Sequence, residues 1–366
     1  MTSKRILVIN PGSTTTKIAI YEDDRQVWIA GEHFKPSQLA KYTRIVDQLP
    51  RRREFVGEAL AKADQPMRFD AVIGRGGLLH PTQGGVYEVD EHILHDMRYA
   101  EMEHASNLGA LLAADIAREC GCKAFIADPV VVDEMIPEAR LTGMPGVERR
   151  SIFHALNSRA VSRRWAKEQG KAYEDVNVIV VHIGGGCSVS AHSKGRIIDV
   201  NNALNGDGPF SPERAGTVPA GQLAELCFSG KYTLKEVLKM LSGRGGLIAL
   251  LGDNNVKGIV EKARKDCEPH KRVLAAMMYN VAKYTGSMYV ALRGQVDAII
   301  ITGGIAFSDY CMNLLLPQID YMAPVALMPG EDEMGALALN ALGALNGELP
   351  LQVYNPRSRQ QGWQMK

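Results

Sequence analysis

One strand–turn–strand unit occurs twice in this chain, and no other feature restricts the fold as strongly. Residues 6–9 (ILVI) form a continuous apolar run of the kind that makes a buried strand. Asn10-Pro11-Gly12-Ser13-Thr14 is a small-residue turn, residues 15–21 are a β-branched second strand, and residues 26–30 read as a third strand of an antiparallel meander. The same order returns at residue 176: apolar residues 176–183, the turn Gly184-Gly185-Gly186-Cys187-Ser188, a strand at 189–192, a Ser193-Lys194-Gly195 turn and a strand at 196–200. Gly186 follows Gly12 by 174 residues, nearly half of the 366-residue chain, so the sequence predicts two related domains from a duplication.

The turns carry functional information. Gly12 tolerates backbone angles that other residues avoid, and Ser13 and Thr14 add hydroxyls and unpaired amides around a concave loop, with Lys17 close behind. That chemistry suits a phosphate, although an ordinary Ser/Thr-rich hairpin accounts for the first turn taken alone. A third glycine turn, Gly303-Gly304, ends the apolar strand 295–302. The chain has neither a G-x-x-x-x-G-K-[ST] loop nor a G-x-G-x-x-G that opens a helix after a strand, so a phosphate cradle here must be of the hairpin kind.

Other residues have the right chemistry at strand and helix ends, each with a plainer reading. Arg75 lies among Gly74, Gly76 and Gly77 after the strand 70–73, which fits either a ligand-facing fork or an exposed arginine in a glycine turn. Asp128 ends the strand 124–127 before Pro129, a site position or a stop signal. His154 opens a helix expected over 151–167, His182 sits beside the second glycine turn, and Arg214 lies in the long polar loop 201–217. Glu331, Asp332 and Glu333 precede an apolar helix, where acids also complement the helix dipole. The run Arg51-Arg52-Arg53 reads as a solvated helix entrance and is given no function. The Pro- and Gly-rich stretch 137–150 reads as the domain boundary.

Composition excludes several classes. With 42 basic and 41 acidic residues the formal charge is +1, which provides no whole-molecule field for nucleic acid or an anionic membrane. Six scattered cysteines without metal-site spacing point to a reduced, cytoplasmic protein, and no apolar run reaches the ~18 residues of a membrane span.

The segments VINPGSTTTK, IGRGGLLHPTQGGVYEV, EHASNLGA, FIADPVVVDEM, RRSIFHALNSRAV, VVHIGGGCSVSAH, NALNGDGPFSPERAGTVP, ITGGIA and PGEDEMGALAL occur in this order along nearly the whole chain. They resemble the acetate and butyrate kinases of the actin-like ATPase and sugar-kinase superfamily, and GRGGLL and EHASNLGA look like the butyrate kinases. The resemblance implies an α/β fold: two duplicated actin-like ATPase (ribonuclease H-like) domains, each a mixed five-stranded sheet flanked by helices, with a central nucleotide cleft. It implies a first domain of residues 1–148 completed by 335–366 and a second of 149–334. The implied activity is reversible phosphoryl transfer between ATP and a short-chain fatty acid, with Mg²⁺, in a homodimer or higher homo-oligomer.

Residue by residue, the resemblance makes Arg75 and Arg214 clamps on the carboxylate and the transferring phosphoryl, with His154 donating to its oxygens. Asp128 would orient Arg75 or Arg214. Asn10, Ser13, Lys17, His182, Gly184, Gly185, Gly186, Gly303 and Gly304 would meet phosphate or nucleotide. Asn255 and Lys257 stand where butyrate kinases carry Asp and Arg near the adenosine, and the segment Gly304-Ile305-Ala306-Phe307-Ser308 lacks an acid often found after the glycines. Mg²⁺ would be held at Asn10 and by acids of the 331–333 run, Asp332 and Glu333 being favoured over Glu331. Gly76, Gly77 and Phe153 are assigned to the acyl pocket, on the expectation that the two glycines free volume for butyrate or a branched acid. An acetate or propionate kinase, and a catalytically silent actin-like nucleotide-binding module, are the alternatives. Arg75, His154 and Arg214 argue against the silent module, which needs no acyl-phosphate clamp.

Overall fold

Both glycine turns join the first two strands of an antiparallel meander in the computed structural model, which describes residues 3–100 and 103–356. The strands are β1 (Arg5–Pro11), β2 (Thr15–Glu22), β3 (Arg25–His33), β4 (Ala71–Arg75), β5 (Val86–Glu88), β6 (Lys123–Ala127), β7 (Asn177–Ile183), β8 (Cys187–Ser193), β9 (Arg196–Val200), β10 (Ala298–Thr302), β11 (Val325–Leu327) and β12 (Leu351–Gln352). They form two sheets, ordered β12-β5-β6-β4-β1-β2-β3 and β11-β10-β7-β8-β9. In each, a three-strand meander is extended by two strands parallel to its first, β4 and β6 in one and β10 and β11 in the other. The duplication read from the sequence is therefore a duplication of topology. Among the described residues the second sheet has the five strands expected; the first has seven, because β5 adds antiparallel to β6 and the short β12 pairs with β5.

The chain divides into two units: Met1–Asp133, Ala155–Asn157 and Asp332–Lys366 in the first, Glu134–His154 and Ser158–Glu331 in the second. The boundary expected near residue 148 falls earlier, and the reason is electrostatic. Glu134 accepts from Arg159 at 2.6 Å and from the Ile197 amide at 2.8 Å, and Arg149 pairs with Asp199 at 2.9 Å and bonds the Val200 carbonyl at 3.0 Å. The stretch 134–150 is thus stapled to β9 and belongs to the second unit. The expected tail of the first domain extends through residues 357–366, which lie outside the described residues.

Burial follows from residue type and strand position. β1 is buried from Ile6 to Pro11 and β10 throughout, as apolar strands with neighbours on both sides must be, whereas β3 is an edge with alternating exposure. In the second unit the period of two sorts β7 residues between faces. Ile179, Val181 and Ile183 pack in one core with Leu274, Met277 and Val281 of the helix Glu268–Ala291. Val178 and Val180 pack in another with Val161 and Ala166 of the helix Ala155–Glu168. In the first unit Leu7, Ile9, Ile18 and Ile20 share a core with the helices Leu49–Lys62 and Asn107–Cys120, and the helix Glu333–Leu345 packs on β1, β4 and β6.

Where β4 meets the helix Asn107–Cys120, glycine is required on both sides. A Cβ on Gly74 would stand 2.1 Å from the Gly109 carbonyl oxygen, and one on Gly109 would stand 2.2 Å from the Arg75 carbonyl oxygen. This approach is why the EHASNLGA segment carries its glycine, and it brings the helix against the strand end that bears Arg75.

His192 on β8 is a polar residue inside this fold. It is fully buried and holds Tyr173 Oη at 2.8 Å on Nδ1 and Ser190 Oγ at 2.9 Å on Nε2. Burial, reinforced by the Arg159 charge, holds its imidazole well below the ordinary histidine range. The unfolded chain, where histidine titrates near about 6.5, therefore binds a proton that the folded chain refuses, and stability present above that pH is lost as the pH falls below it. Urea midpoints are expected to fall between pH 7 and pH 5, with this residue contributing at most about 1.4 kcal/mol per pH unit. A His192→Gln variant, compared with the parent across that range, should show a shallower dependence. An identical slope in both would remove His192 as the source.

Candidate active site

In the first unit the candidate residues lie at the carboxyl ends of parallel strands, the usual place for ligand chemistry in such sheets. Asn10 is near the end of β1, Arg75 ends β4 and Asp128 follows β6, and the register pairs Ile9 with Gly74 and Arg75 with Ala127. Glu333, the first residue of the helix Glu333–Leu345, ties two of them together. Its carboxylate accepts from Asn10 Nδ2 at 2.8 Å and pairs with Arg75, Nη1 to Oε2 at 3.0 Å and Nη2 to Oε1 at 2.8 Å. The pairing is bidentate, the geometry that fixes a guanidinium most firmly. Asn10 Oδ1 is buried with no hydrogen-bond partner among the described residues.

The three consecutive acids have three different roles. Asp332 caps its helix, accepting the Gly335 amide at 2.8 Å. Glu331 Oε1 lies 3.0 Å from His182 Nε2. Glu333 alone joins Asn10 and Arg75. Asp332, favoured from the sequence as a metal ligand, is thus a helix cap. The short side chain of Asp suits that position better than Glu, which is the signal that could have separated the three.

Asp128 takes a positive φ of 40° and is held to the loop before β5: its Oδ1 accepts the Gly85 amide at 2.8 Å, and its own amide donates to the Gly85 carbonyl at 3.0 Å. The orienting carboxylate on Arg75 is that of Glu333, not the expected Asp128. Ser13 is exposed in the β1–β2 turn. Lys17 is exposed on β2 and sits opposite Asn10 in the antiparallel register, so the two share a face of the sheet.

Gly76 and Gly77 do not open volume. A Cβ at Gly76 would stand 2.8 Å from Pro129 Cβ, and one at Gly77 would stand 2.3 Å from Asn107 Oδ1. Asn107 Oδ1 also accepts the Leu78 amide at 2.8 Å, so these glycines allow a tight turn after Arg75. Phe153 is buried beside His154 in the sequence.

In the second unit the imidazoles of His154 and His182 stack, with centroids 3.7 Å apart and planes within 7°. His154 Nδ1 is 2.9 Å from Ser188 Oγ at the start of β8, a partner that sequence reasoning missed. Gly184 donates to the Gly186 carbonyl at 2.9 Å, closing the turn, and Ser211 Oγ donates to the Gly185 carbonyl at 2.7 Å. Arg214 lies against this turn: a Cβ on Gly186 would stand 2.0 Å from its Nη1. The guanidinium donates to the Ala203 carbonyl, and burial pulls its pKa below the ordinary arginine value. Gly303, at φ 90°, pairs with Gly330 and would drive a Cβ to 2.4 Å from the Ile183 carbonyl oxygen.

Beside the turn is a cavity of about 620 Å³ whose lining includes Gly184, Gly185, Asn254, Lys257, Gly304 and Phe307. Asn255, expected at the nucleotide, instead caps the helix Val256–Arg264, accepting the Gly258 amide at 3.3 Å. Its neighbours Asn254 and Lys257 line the cavity.

The family model of the acetokinase family matches residues 138–323. A relative from Phocaeicola vulgatus named probable butyrate kinase is 66% identical, over 96% of this chain and 99% of its own length. One of the same name from Bacteroides thetaiotaomicron is 49% identical, over 96% and 99%. The solved structure of Porphyromonas gingivalis acetate kinase aligns over 93% of this chain and all of its own with a TM-score of 0.78, at 18% identity. The fold is therefore shared well beyond the reach of sequence identity.

Gly109→Ala tests the link between packing and site. Alanine is the better helix former by about 1 kcal/mol, yet its methyl would meet strand backbone that cannot yield, so a net loss of about 1–3 kcal/mol is expected. Because the obstructing atom is the carbonyl oxygen of Arg75, kcat/KM should fall as well at temperatures where the variant is fully folded. A denaturant midpoint unchanged from the parent would show that the approach has slack.

Proposed function

The chain belongs to the acetokinase family, and on that premise we propose that it is a short-chain carboxylate kinase of butyrate kinase type, transferring a phosphoryl group reversibly between ATP and butyrate or a branched short acid. The observation that carries this reading is the bidentate Arg75–Glu333 pair with Asn10, in a chain that is 66% identical along nearly its whole length to a relative named probable butyrate kinase.

The reaction needs little acid–base chemistry. A short aliphatic acid, with a pKa of about 4–5 like a glutamate side chain, is already ionised at neutral pH. One carboxylate oxygen attacks the γ-phosphorus, the bond from that phosphorus to the β–γ bridging oxygen breaks, and ADP leaves with the electron pair; no proton need move. The barrier is the approach of two anions and the charge on the transferring group, which fixed donors and cations lower. By the family resemblance, Arg75, Arg214, His154 and His182 would supply them. Each is already oriented: Arg75 by Glu333, Arg214 by the Ala203 carbonyl, His154 by Ser188, and His182 by its stacking on His154 and by Glu331. The second-unit cavity would take the nucleoside, with Lys257 near the adenosine.

The residues fit Mg²⁺. Asn10 has a buried, unbonded side-chain oxygen next to the Glu333 carboxylate, and among the described residues no three acids, histidines or cysteines cluster as a complete metal cage. Magnesium bound mainly through nucleotide oxygens and water needs only one or two protein ligands. Asn10 and Glu333 would hold it, and it would supply neutralising charge on the phosphates when bound.

A homodimer fits the apolar residues that the second unit exposes at Phe228, Leu234 and Leu238. A reduced cytoplasmic setting fits six unpaired thiols, and among the described residues no helix is long and apolar enough to cross a membrane.

Trapping the acyl phosphate with hydroxylamine, in the presence of ATP, Mg²⁺ and each of a panel of C2 to C5 acids, tests the reading. Butyrate or isobutyrate should give the highest kcat/KM. A preference for acetate or propionate would place the protein with the kinases of those acids, and no hydroxamate with any acid would make it a binding module. Glu333→Gln should lower kcat by about 100-fold or more, since it loosens Arg75 and the metal site together.

A further inference from the structure

Arg52 is the second arginine of the run that sequence reasoning left without function, and it is only 1% exposed. It lies in the helix Leu49–Lys62, and its guanidinium reaches beneath the β1–β2 turn. Nη1 donates to the Gly12 carbonyl at 2.9 Å, the Thr15 carbonyl at 2.7 Å and Thr16 Oγ1 at 2.9 Å. Nη2 donates to the Ser13 carbonyl at 3.1 Å, and Nη2 and Nε share Gln48 Oε1 at 2.9 and 3.2 Å. Its charge also sits 5.0 Å from the Phe34 ring centroid. Among the described residues no carboxylate lies within ion-pair distance of it. Burial lowers its pKa, but an arginine starts so high that it stays charged.

A buried cation bonded to carbonyls in place of a carboxylate is costly to keep, and its donors are all used, so it cannot itself grip a ligand. Its effect is on the turn. In a trans peptide the C=O and the following N–H point in opposite directions. Drawing the Gly12 and Ser13 carbonyls inward to Arg52 therefore turns the Ser13 and Thr14 amides outward. Neither amide has a hydrogen-bond partner among the described residues, and Ser13 is exposed. Successive outward amides above an unneutralised cation form an anion-binding concavity.

We infer that Arg52 is a positioning residue: it holds the β1–β2 turn in the shape that presents the Ser13 and Thr14 amides to a phosphate of the nucleotide. The inference rests on the kinase reading above and adds to it the device that keeps the phosphate turn formed. Lysine, with three donors and no planar fork, cannot span three carbonyls, a hydroxyl and an amide at once.

The test combines steady-state kinetics with backbone amide exchange on the full chain. In the parent, adding the nucleotide and Mg²⁺ should slow exchange of the peptide that covers residues 10–16. In Arg52→Lys that protection should be lost and KM for ATP should rise about 10-fold, the loss of one good phosphate contact, while KM for the carboxylate stays within about 2-fold. If Arg52→Lys does not fold, Gln48→Ala removes the anchor of the same guanidinium, and about a 3-fold rise in KM for ATP alone is expected. Parent protection that persists in the variant, with KM for ATP unchanged, would overturn the role of Arg52 and leave the turn as a phosphate contact. Equal rises in both KM values would also overturn it, as general damage. No protection in the parent would overturn the phosphate reading of the turn itself.

Discussion

The ion pair between Glu333 and Arg75 couples the first unit's packing to its chemistry. Both side chains are mostly buried, about a fifth exposed each, so separating them would leave a charge in a poor solvent; removing one partner of such a pair costs about 3–5 kcal/mol when burial is complete and less here. The helix that begins at Glu333 also packs on β1, β4 and β6. A chain segment more than 250 residues downstream of Arg75 is thus needed both to cover the sheet and to orient the arginine at its edge. The close backbone approach of Gly74 and Gly109 acts on the same residue from the other side, by seating a second helix against the strand that carries it.

The second unit repeats the topology but not this device. Its counterpart to the β1–β2 turn is closed by glycines and braced by side chains from the loop after β9, Ser211 on Gly185 and Arg214 over Gly186. Its histidines support each other by stacking, and each has a further neighbour, Ser188 or Glu331. The three successive acids 331–333 divide among the histidine, the helix cap and the arginine because consecutive residues at a helix start point in different directions. A run of like charge that seemed a single feature is three unrelated contacts.

What could be read in the sequence was what depends on local pattern. Apolar runs of four to eight residues before glycine turns marked β1, β7 and β10, and the recurrence of the meander marked the duplication, because period and turn chemistry are short-range properties. What could not be read was which polar residues meet across long separations. Gly76 and Gly77 looked like freed volume, but the space is filled by Pro129 and Asn107, 53 and 30 residues away in the chain. Arg52 looked solvated because its two neighbours are arginines with exposed partners, Glu54 and Glu119. Only the fold shows that, of the three, it alone turns inward. The boundary near 148 was misplaced because the Pro- and Gly-rich stretch is fastened by the Glu134–Arg159 and Arg149–Asp199 pairs, which composition does not reveal.

A phosphoryl transfer between two anions would need positive charge that is present before the substrates arrive, yet a nearly neutral protein cannot supply it as a general field. The arrangement seen here is local. Arg75 stands on a carboxylate, Arg214 and Arg52 on carbonyls, and the histidines on each other and on Ser188 and Glu331. A cation held by a carboxylate is stable in the empty site but partly neutralised; one held by carbonyls is less stable and retains its full charge. Using both kinds would let each unit stay folded without ligand and still attract a polyphosphate, with the desolvation cost of Arg52 and Arg214 borne by the packing around them. On this view the burial that lowers the pKa of both arginines is not incidental to function, because the same low-dielectric surroundings that make them costly to bury would strengthen their pull on a bound phosphate.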